Sequence, residues 1–214
     1  MIRGMNTMPR RPMCATCLRP AATCICHWAA PVAGAAKVLI LQHPMEVLNA
    51  KGSARLLQLC LPGSRIEVGE QFDATALRTM LGEGGRQPVL LYPDTPGVRS
   101  LGIAPPPPCS AALAPERVQL VVLDATWRKS RKMLYLNPAL QALPRLPLRD
   151  TPPSHYLIRK AHAPDQLSTL EATCYALAQL EGDVHRYDRV ISAFDGFVAQ
   201  QQEQQARAGR GGIS

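Results

Sequence analysis

Residues 118–132 read VQLVVLDATWRKSRK, and the fold follows from how this stretch breaks in two. Its first part, Val118–Leu123, is a short apolar run rich in β-branched residues, the pattern of a strand buried on both faces. Its second part, from Trp127 to Leu136, returns its apolar residues at helical spacing and stops at Asn137-Pro138. A buried strand that feeds directly into a helix is half of a β-α-β unit. Such units build parallel sheets, and parallel sheets hold their ligands at the carboxyl ends of the strands. Asp124, Ala125, Thr126 and Trp127 stand at that end here.

The same alternation extends in both directions. Lys37–Leu41 and Pro88–Tyr92 are two more apolar runs of strand length, and Arg65–Val68 is a weaker one. Leu146–Leu148 and Tyr156–Ile158 are short strand candidates. Helices are expected over Asn49–Leu61, closed by Pro62-Gly63, over Ala74–Leu81, and over about Tyr187–Gln204. A further helix, Ser168–Leu180, opens with Ser168 and carries Glu171 three residues on, the pattern of a capping box. Four consecutive prolines at 105–108 forbid a helix and place a loop over 94–116. The class expected is α/β, a mostly parallel sheet with helices on both faces.

Cys14, Cys17, Cys24 and Cys26 are spaced C-x2-C-x6-C-x-C. Four thiolates this close in sequence suit tetrahedral Zn2+ in a closed, structural site. The competing readings are two disulfides or a redox pair. Neither secretory leader nor membrane-length apolar run is evident, so the compartment expected is cytoplasmic, where disulfides are disfavoured. The division expected is a flexible leader over 1–13, a zinc-binding segment over 14–36, a catalytic domain over 37–205 and a flexible tail over 206–214. Cys60 and Cys174 fall on apolar helix faces and read as core.

The net charge is +8, and all but five of the 24 basic residues are Arg. A positive surface favours a polyanion, and a guanidinium both forks onto phosphate and stacks on bases. Clustering is what gives this weight. Arg128, Lys129, Arg131 and Lys132 follow Asp124 with no acid among them, and Arg128, Arg131 and Lys132 share a helical face. Asp124 and Thr126 also suit a helix cap, and a cap does not exclude a ligand. After the first strand come His43-Pro44, Glu46 and Asn49, then Lys51 and Arg55. Scaffold hydrogen bonding and substrate contact are equally open for His43 and Glu46.

Taken in order, these residues resemble a known family. Leu123-Asp124-Ala125-Thr126-Trp127-Arg128, with Arg131, Lys132 and Met133, is similar to the signature of the DTW-domain proteins. The Cys cluster, His43-Pro44 with Glu46, Asn49, Leu91-Tyr92-Pro93 and Leu167-Ser168-Thr169-Leu170-Glu171-Ala172 extend the resemblance over most of the chain. Gly52-Ser53 departs from it, since Asn-Thr or similar is expected after Lys51. The family resembles bacterial tRNA-uridine aminocarboxypropyltransferases and, more distantly, a ribosomal-RNA enzyme with the same transfer.

The resemblance implies a SPOUT-like fold with a C-terminal trefoil knot, S-adenosylmethionine as donor and tRNA as acceptor. It implies attack by uridine N3 on the γ-carbon of the donor, releasing methylthioadenosine. Under it, Asp124 is the candidate general base, or alternatively the ligand of the donor's ammonium, with His43 and Glu46 beside it. Leu91, Tyr92, Pro93, Leu123, Thr126, Trp127, Leu167, Ser168, Thr169 and Glu171 are the expected donor contacts. Lys51, Arg55, Arg128, Arg131 and Lys132 are the expected RNA contacts. An RNA methyltransferase and a non-enzymatic zinc-containing RNA-binding protein are the alternatives. No membrane or obligate protein partner is expected, and the chain is read as a monomer or homodimer.

Overall fold

Strict alternation divides the apolar residues of the strands between two cores. The computed structural model describes residues 12–93, 105–107, 109, 113–154 and 167–210. Five parallel strands, β1 (Lys37–Gln42), β2 (Arg65–Val68), β3 (Gln87–Leu91), β4 (Val118–Asp124) and β5 (Arg145–Leu146), form one sheet in the order β2-β1-β4-β3-β5. Val38, Ile40, Leu120 and Val122 face one core, which α1 (Ala54–Cys60), α5 (Thr169–Glu181) and α6 (Asp188–Arg210) complete. Leu39, Leu41, Leu90 and Val121 face the other, under α2 (Ala74–Leu81), α3 (Trp127–Leu136) and α4 (Pro138–Gln141). The expected α/β class, with helices on both faces, is what the chain adopts.

From the neighbouring strands β1 and β4 the chain leaves in opposite directions. β1 leads through α1 to β2 at one edge, and β4 leads through α3 and α4 to β5 at the other. Such a reversal opens a crevice at the carboxyl ends of the two strands. The register pairs Gln42 with Asp124 there. By the same alternation both residues point toward the face that carries α5.

Several boundaries differ from the sequence reading, each for a local reason. The helix expected from Asn49 begins only at Ala54. Asn49 Oδ1 accepts from the Lys51 N–H at 3.0 Å, and Gly52 N–H donates to the Asn49 carbonyl at 2.8 Å, so residues 49–52 close a turn instead. The short strand expected at Leu146–Leu148 is Arg145–Leu146. The last helix runs to Arg210, past its expected end at Gln204. The Ser168 capping box forms as read: Ser168 Oγ accepts from Glu171 N–H at 3.2 Å, and Glu171 Oε2 accepts from Ser168 N–H at 2.7 Å. Tyr156–Ile158 lies outside the described residues, as does the rest of 155–166.

The Cys-rich segment shares the core of the sheet domain. Cys17 and Ile25 are buried with Phe194 and Phe197 of α6. Trp28 donates from Nε1 to Gln200 Oε1 at 2.5 Å, and Gln200 Nε2 donates to the Cys24 carbonyl at 3.2 Å. The Arg19 guanidinium lies 4.9 Å from the centre of the Phe197 ring. The Trp28 indole lies so close over Gly196 that a Cβ there would clash with the ring.

Candidate functional site

The carboxyl ends of β1 and β4 gather two linked polar clusters from distant parts of the chain. In the first, buried Asp124 accepts at both oxygens. Gln42 Nε2 donates to Oδ2 at 2.8 Å, and Thr169 Oγ1 donates to Oδ1 at 2.6 Å. A buried carboxylate needs such partners, and these two fix its plane. Thr169 is the first residue of α5, so the positive end of that helix faces Asp124. Ser53, just before α1, accepts at Oγ from the Leu170 N–H at 3.2 Å and ties α1 to the same point. Ser53 thus holds a definite contact although it departs from the family pattern.

The second cluster surrounds the turn after β1. Buried Glu46 accepts from Lys129 Nζ at 2.8 Å and from Asn49 Nδ2 at 2.9 Å. Buried His43 accepts at Nδ1 from the Met45 N–H at 3.1 Å. That bond leaves the ring proton on Nε2, which lies 3.0 Å from Glu70 Oε1. Glu70 Oε2 pairs with Lys132 Nζ at 2.9 Å. The Lys132 ammonium, and after it the His43 ring, holds the Glu70 carboxyl below the usual carboxylate range. Asn137 fixes this loop to α3, donating to the Glu70 carbonyl at 2.9 Å and accepting from the Phe72 N–H at 2.9 Å.

The run of four cations is therefore split by pairing. Lys129 and Lys132 turn to Glu46 and Glu70. Arg128 and Arg131 are exposed, and among the described residues neither meets a carboxylate. The sequence shows no acid interleaved with the run, but the fold brings two acids from elsewhere. Arg55 bonds Gln58 Oε1 at 2.6 Å on its own helix.

The expected donor-contact residues also converge. Leu91 ends β3 and Tyr92 follows it, beside Leu123 near the end of β4, while Thr126 caps α3. Tyr92 is buried, with the Arg145 guanidinium 5.2 Å from its ring centre on one side and Trp127 edge-on at 5.9 Å and 74°. The side chains of Ser168 and Glu171 are taken up in the cap, and Ser154 Oγ donates to both Glu171 oxygens at 3.1 and 2.9 Å. Gln42, Glu70 and Asn137 are the residues that sequence reasoning missed. Gln42 sits one position past an expected strand end, a signal that was present; Asn137 was marked only as the stop of α3, and Glu70 lies in a turn with no pattern to mark it.

The four thiols form a separate centre. All four Sγ atoms lie within 4.8 Å of one another. Cys14 and Cys26 are 3.7 Å apart and Cys17 and Cys24 3.8 Å. A disulfide needs about 2.05 Å, whereas the edge of a tetrahedron with Zn–S bonds of about 2.3 Å is about 3.8 Å. The donor set fits tetrahedral zinc. Backbone N–H groups of Cys17 and Thr16 bring the Cys14 thiol down to about 6, and burial pushes Cys26 up to about 12. His27 is exposed and rests on Trp28, apart from the cluster.

The DTW domain matches residues 11–202. The chain is 27% identical over 179 residues to a protein of Mus musculus, and equally to one of Macaca fascicularis, each named tRNA-uridine aminocarboxypropyltransferase 2; the alignments cover 80% of this chain and 57% of those proteins. It is 32% identical over 188 residues to a Drosophila melanogaster protein of the same name, covering 83% of this chain and 71% of that one. The chain thus spans little more than half the length of the first curated relatives it matches. No solved structure matches it.

Proposed function

We propose, from the premise that this chain belongs to the DTW domain family, that it transfers the 3-amino-3-carboxypropyl group of S-adenosylmethionine to N3 of a uridine in tRNA. One observation carries the reading: a buried carboxylate, Asp124, held at both oxygens at the carboxyl ends of β1 and β4, with Arg128 and Arg131 exposed on the helix that follows. The names of the relatives supply the substrate class.

Residues of this chain take the following roles. Asp124 receives the N3 proton, because uridine N3 is a poor nucleophile until that proton is lost. Gln42 and Thr169 set its orientation. Leu91, Tyr92, Pro93, Leu123, Thr126, Trp127 and the backbone of Leu167–Thr169 line the donor pocket, and the capping box holds the last of these in place. When bound, S-adenosylmethionine supplies a sulfonium that activates the carbons attached to it. Choosing the longer arm over the methyl is then a matter of aim, and His43 and Glu46, both buried and fixed, form the wall that sets it. Arg128 and Arg131 hold tRNA phosphates, with Lys51 and Arg55 nearer the first strand. Cys14, Cys17, Cys24 and Cys26 bind one structural Zn2+.

The test is mass spectrometry of tRNA nucleosides after incubation with zinc-replete protein and S-adenosylmethionine. The expected product is a uridine carrying the aminocarboxypropyl mass, with methylthioadenosine released. A methyl mass instead would mean an RNA methyltransferase, and unmodified uridine would end the proposal.

A further inference from the structure

Through one side chain, the Cys-rich segment reaches the turn that serves the strand ends. Arg19 stands two positions after Cys17, in a turn closed by two backbone bonds. Cys14 N–H donates to the Arg19 carbonyl at 2.7 Å, and Leu18 N–H donates to the Cys14 carbonyl at 2.9 Å. Leu18 adopts φ 58° there and is 54% exposed. Leucine rarely takes that left-handed conformation, and burial of its side chain does not offset it, so the turn is held by what closes it. The Arg19 guanidinium lies over the Phe197 ring of α6 and donates from Nη2 to the Ala50 carbonyl. Buried Gln201 of α6 completes the contact. Its amide, oriented so that both atoms are satisfied, donates to the same carbonyl at 3.1 Å and accepts from Arg19 Nη1 at 3.2 Å.

Ala50 lies in the turn 49–53, which touches both polar clusters. On one side Asn49 donates to Glu46, whose other oxygen takes Lys129 Nζ. On the other side Ser53 accepts from the Leu170 N–H, one residue past the Thr169 that holds Asp124. Val47, Leu48 and Ala50 are exposed, so apolar burial does not seat the outer side of this stretch. The Arg19 fork and Gln201 do.

We infer that Arg19 is a positioning residue for the transfer: it fixes the turn after β1 and, through Asn49, the carboxylate of Glu46. The Cys-rich segment thereby acts on the site as well as on stability. The inference rests on the reading above, in which His43 and Glu46 set the aim of the longer arm, and adds a residue that lies outside the strand ends. A guanidinium suits the task because it serves two acceptors from one rigid plane, which an ammonium does not.

The experiment uses the full zinc-loaded chain and three substitutions. Arg19→Met keeps an apolar stem over Phe197 and all four thiols but removes the donors. Arg19→Lys keeps the charge but loses the fork. Asn49→Ala cuts the same path from its far end without touching the Cys-rich segment. Zinc content, kcat and KM for transfer to tRNA, and amide hydrogen exchange are measured on each. Arg19→Met should hold zinc as the wild type does and lower kcat about 10- to 100-fold, with KM for S-adenosylmethionine unchanged. Its Lys51 and Gly52 amides should exchange about 10-fold faster, while those of β4 keep their rate. Arg19→Lys should show the same pattern at smaller size. Asn49→Ala should lower kcat at least as far, and the double variant no further than the worse single one, because both act through one turn. An unchanged kcat in Asn49→Ala, or losses that multiply in the double variant, would overturn this inference alone. So would turn amides that keep their rate, or a raised KM for tRNA at unchanged kcat in Arg19→Met, which would make Arg19 a phosphate contact. A wild-type chain that leaves tRNA unmodified would overturn the reading beneath it, and hydrogen exchange would still decide whether Arg19 holds the turn.

Discussion

The thiol cluster and the strand-end cluster are both convergent groups of polar side chains, but they draw on very different lengths of chain. The four cysteines lie between residues 14 and 26, and two turns bring them together. The strand-end cluster takes Gln42, His43 and Glu46 from one strand and its turn, Glu70 from a loop, Asp124, Lys129 and Lys132 from β4 and α3, and Thr169 from α5. The sulfurs of a local cluster are brought together by its own turns. A dispersed one needs the register of the sheet, so its geometry reports on the whole fold.

That contrast can be broken or sharpened by substitution. The largest effect expected is on chemistry: Asp124→Asn should reduce transfer by about 100- to 10,000-fold while changing the thermal midpoint little, because an amide still accepts one hydrogen bond. Near-full activity in folded Asp124→Asn would remove the carboxylate from the mechanism. Next is the thiol cluster. Cys17→Ser, which loses a thiolate whose side chain is buried, should release zinc and cost about 3–5 kcal/mol, or about 10 °C in thermal midpoint. Zinc content and calorimetry check it, and a metal-free wild type with an unchanged midpoint would contradict it.

Smaller effects probe the second half of the dispersed cluster. Glu46→Gln leaves the Lys129 ammonium facing an amide in a mostly buried site and should cost about 1–3 kcal/mol in denaturant unfolding. Ser168→Ala removes one half of the capping box and should cost about 1 kcal/mol. The contribution of Glu70 has a defined pH window. Its carboxyl titrates lower in the fold than in the unfolded chain. Its stabilisation is therefore complete above about pH 4.3, the ordinary glutamate value, and fades as pH falls through the lower folded value. The gap in thermal midpoint between wild type and Glu70→Gln should close over that acid range; a gap independent of pH would argue against the Lys132–Glu70–His43 chain.

What could be read from the sequence follows the same division. The order of strands and helices is visible because each carries its own period, and the bounds of β2, α2 and α3 fall where the pattern places them. The cysteine spacing and the Ser168–Glu171 cap are visible because their partners are near in sequence. Asp124 is marked by its place at the end of the most apolar strand. Its partners Gln42 and Thr169 carry no mark that ties them to it, since only the register of β1 on β4 and the packing of α5 bring them within reach. The pairing of Lys129 and Lys132 was hidden for the same reason: Glu46 lies 83 positions from Lys129, and Glu70 lies 62 positions from Lys132.

Gly196 gives this architecture an unusual sensitivity. A glycine in the middle of a long helix is a weak point, worth roughly 0.5–1 kcal/mol against alanine. Added to an isolated peptide, a methyl group at 196 would strengthen the coil-to-helix equilibrium. In the folded chain the same methyl would displace the indole that seats the Cys-rich segment, so the sign of the substitution reverses. The empty place beside that backbone is thus the socket through which the first and last parts of the chain hold each other.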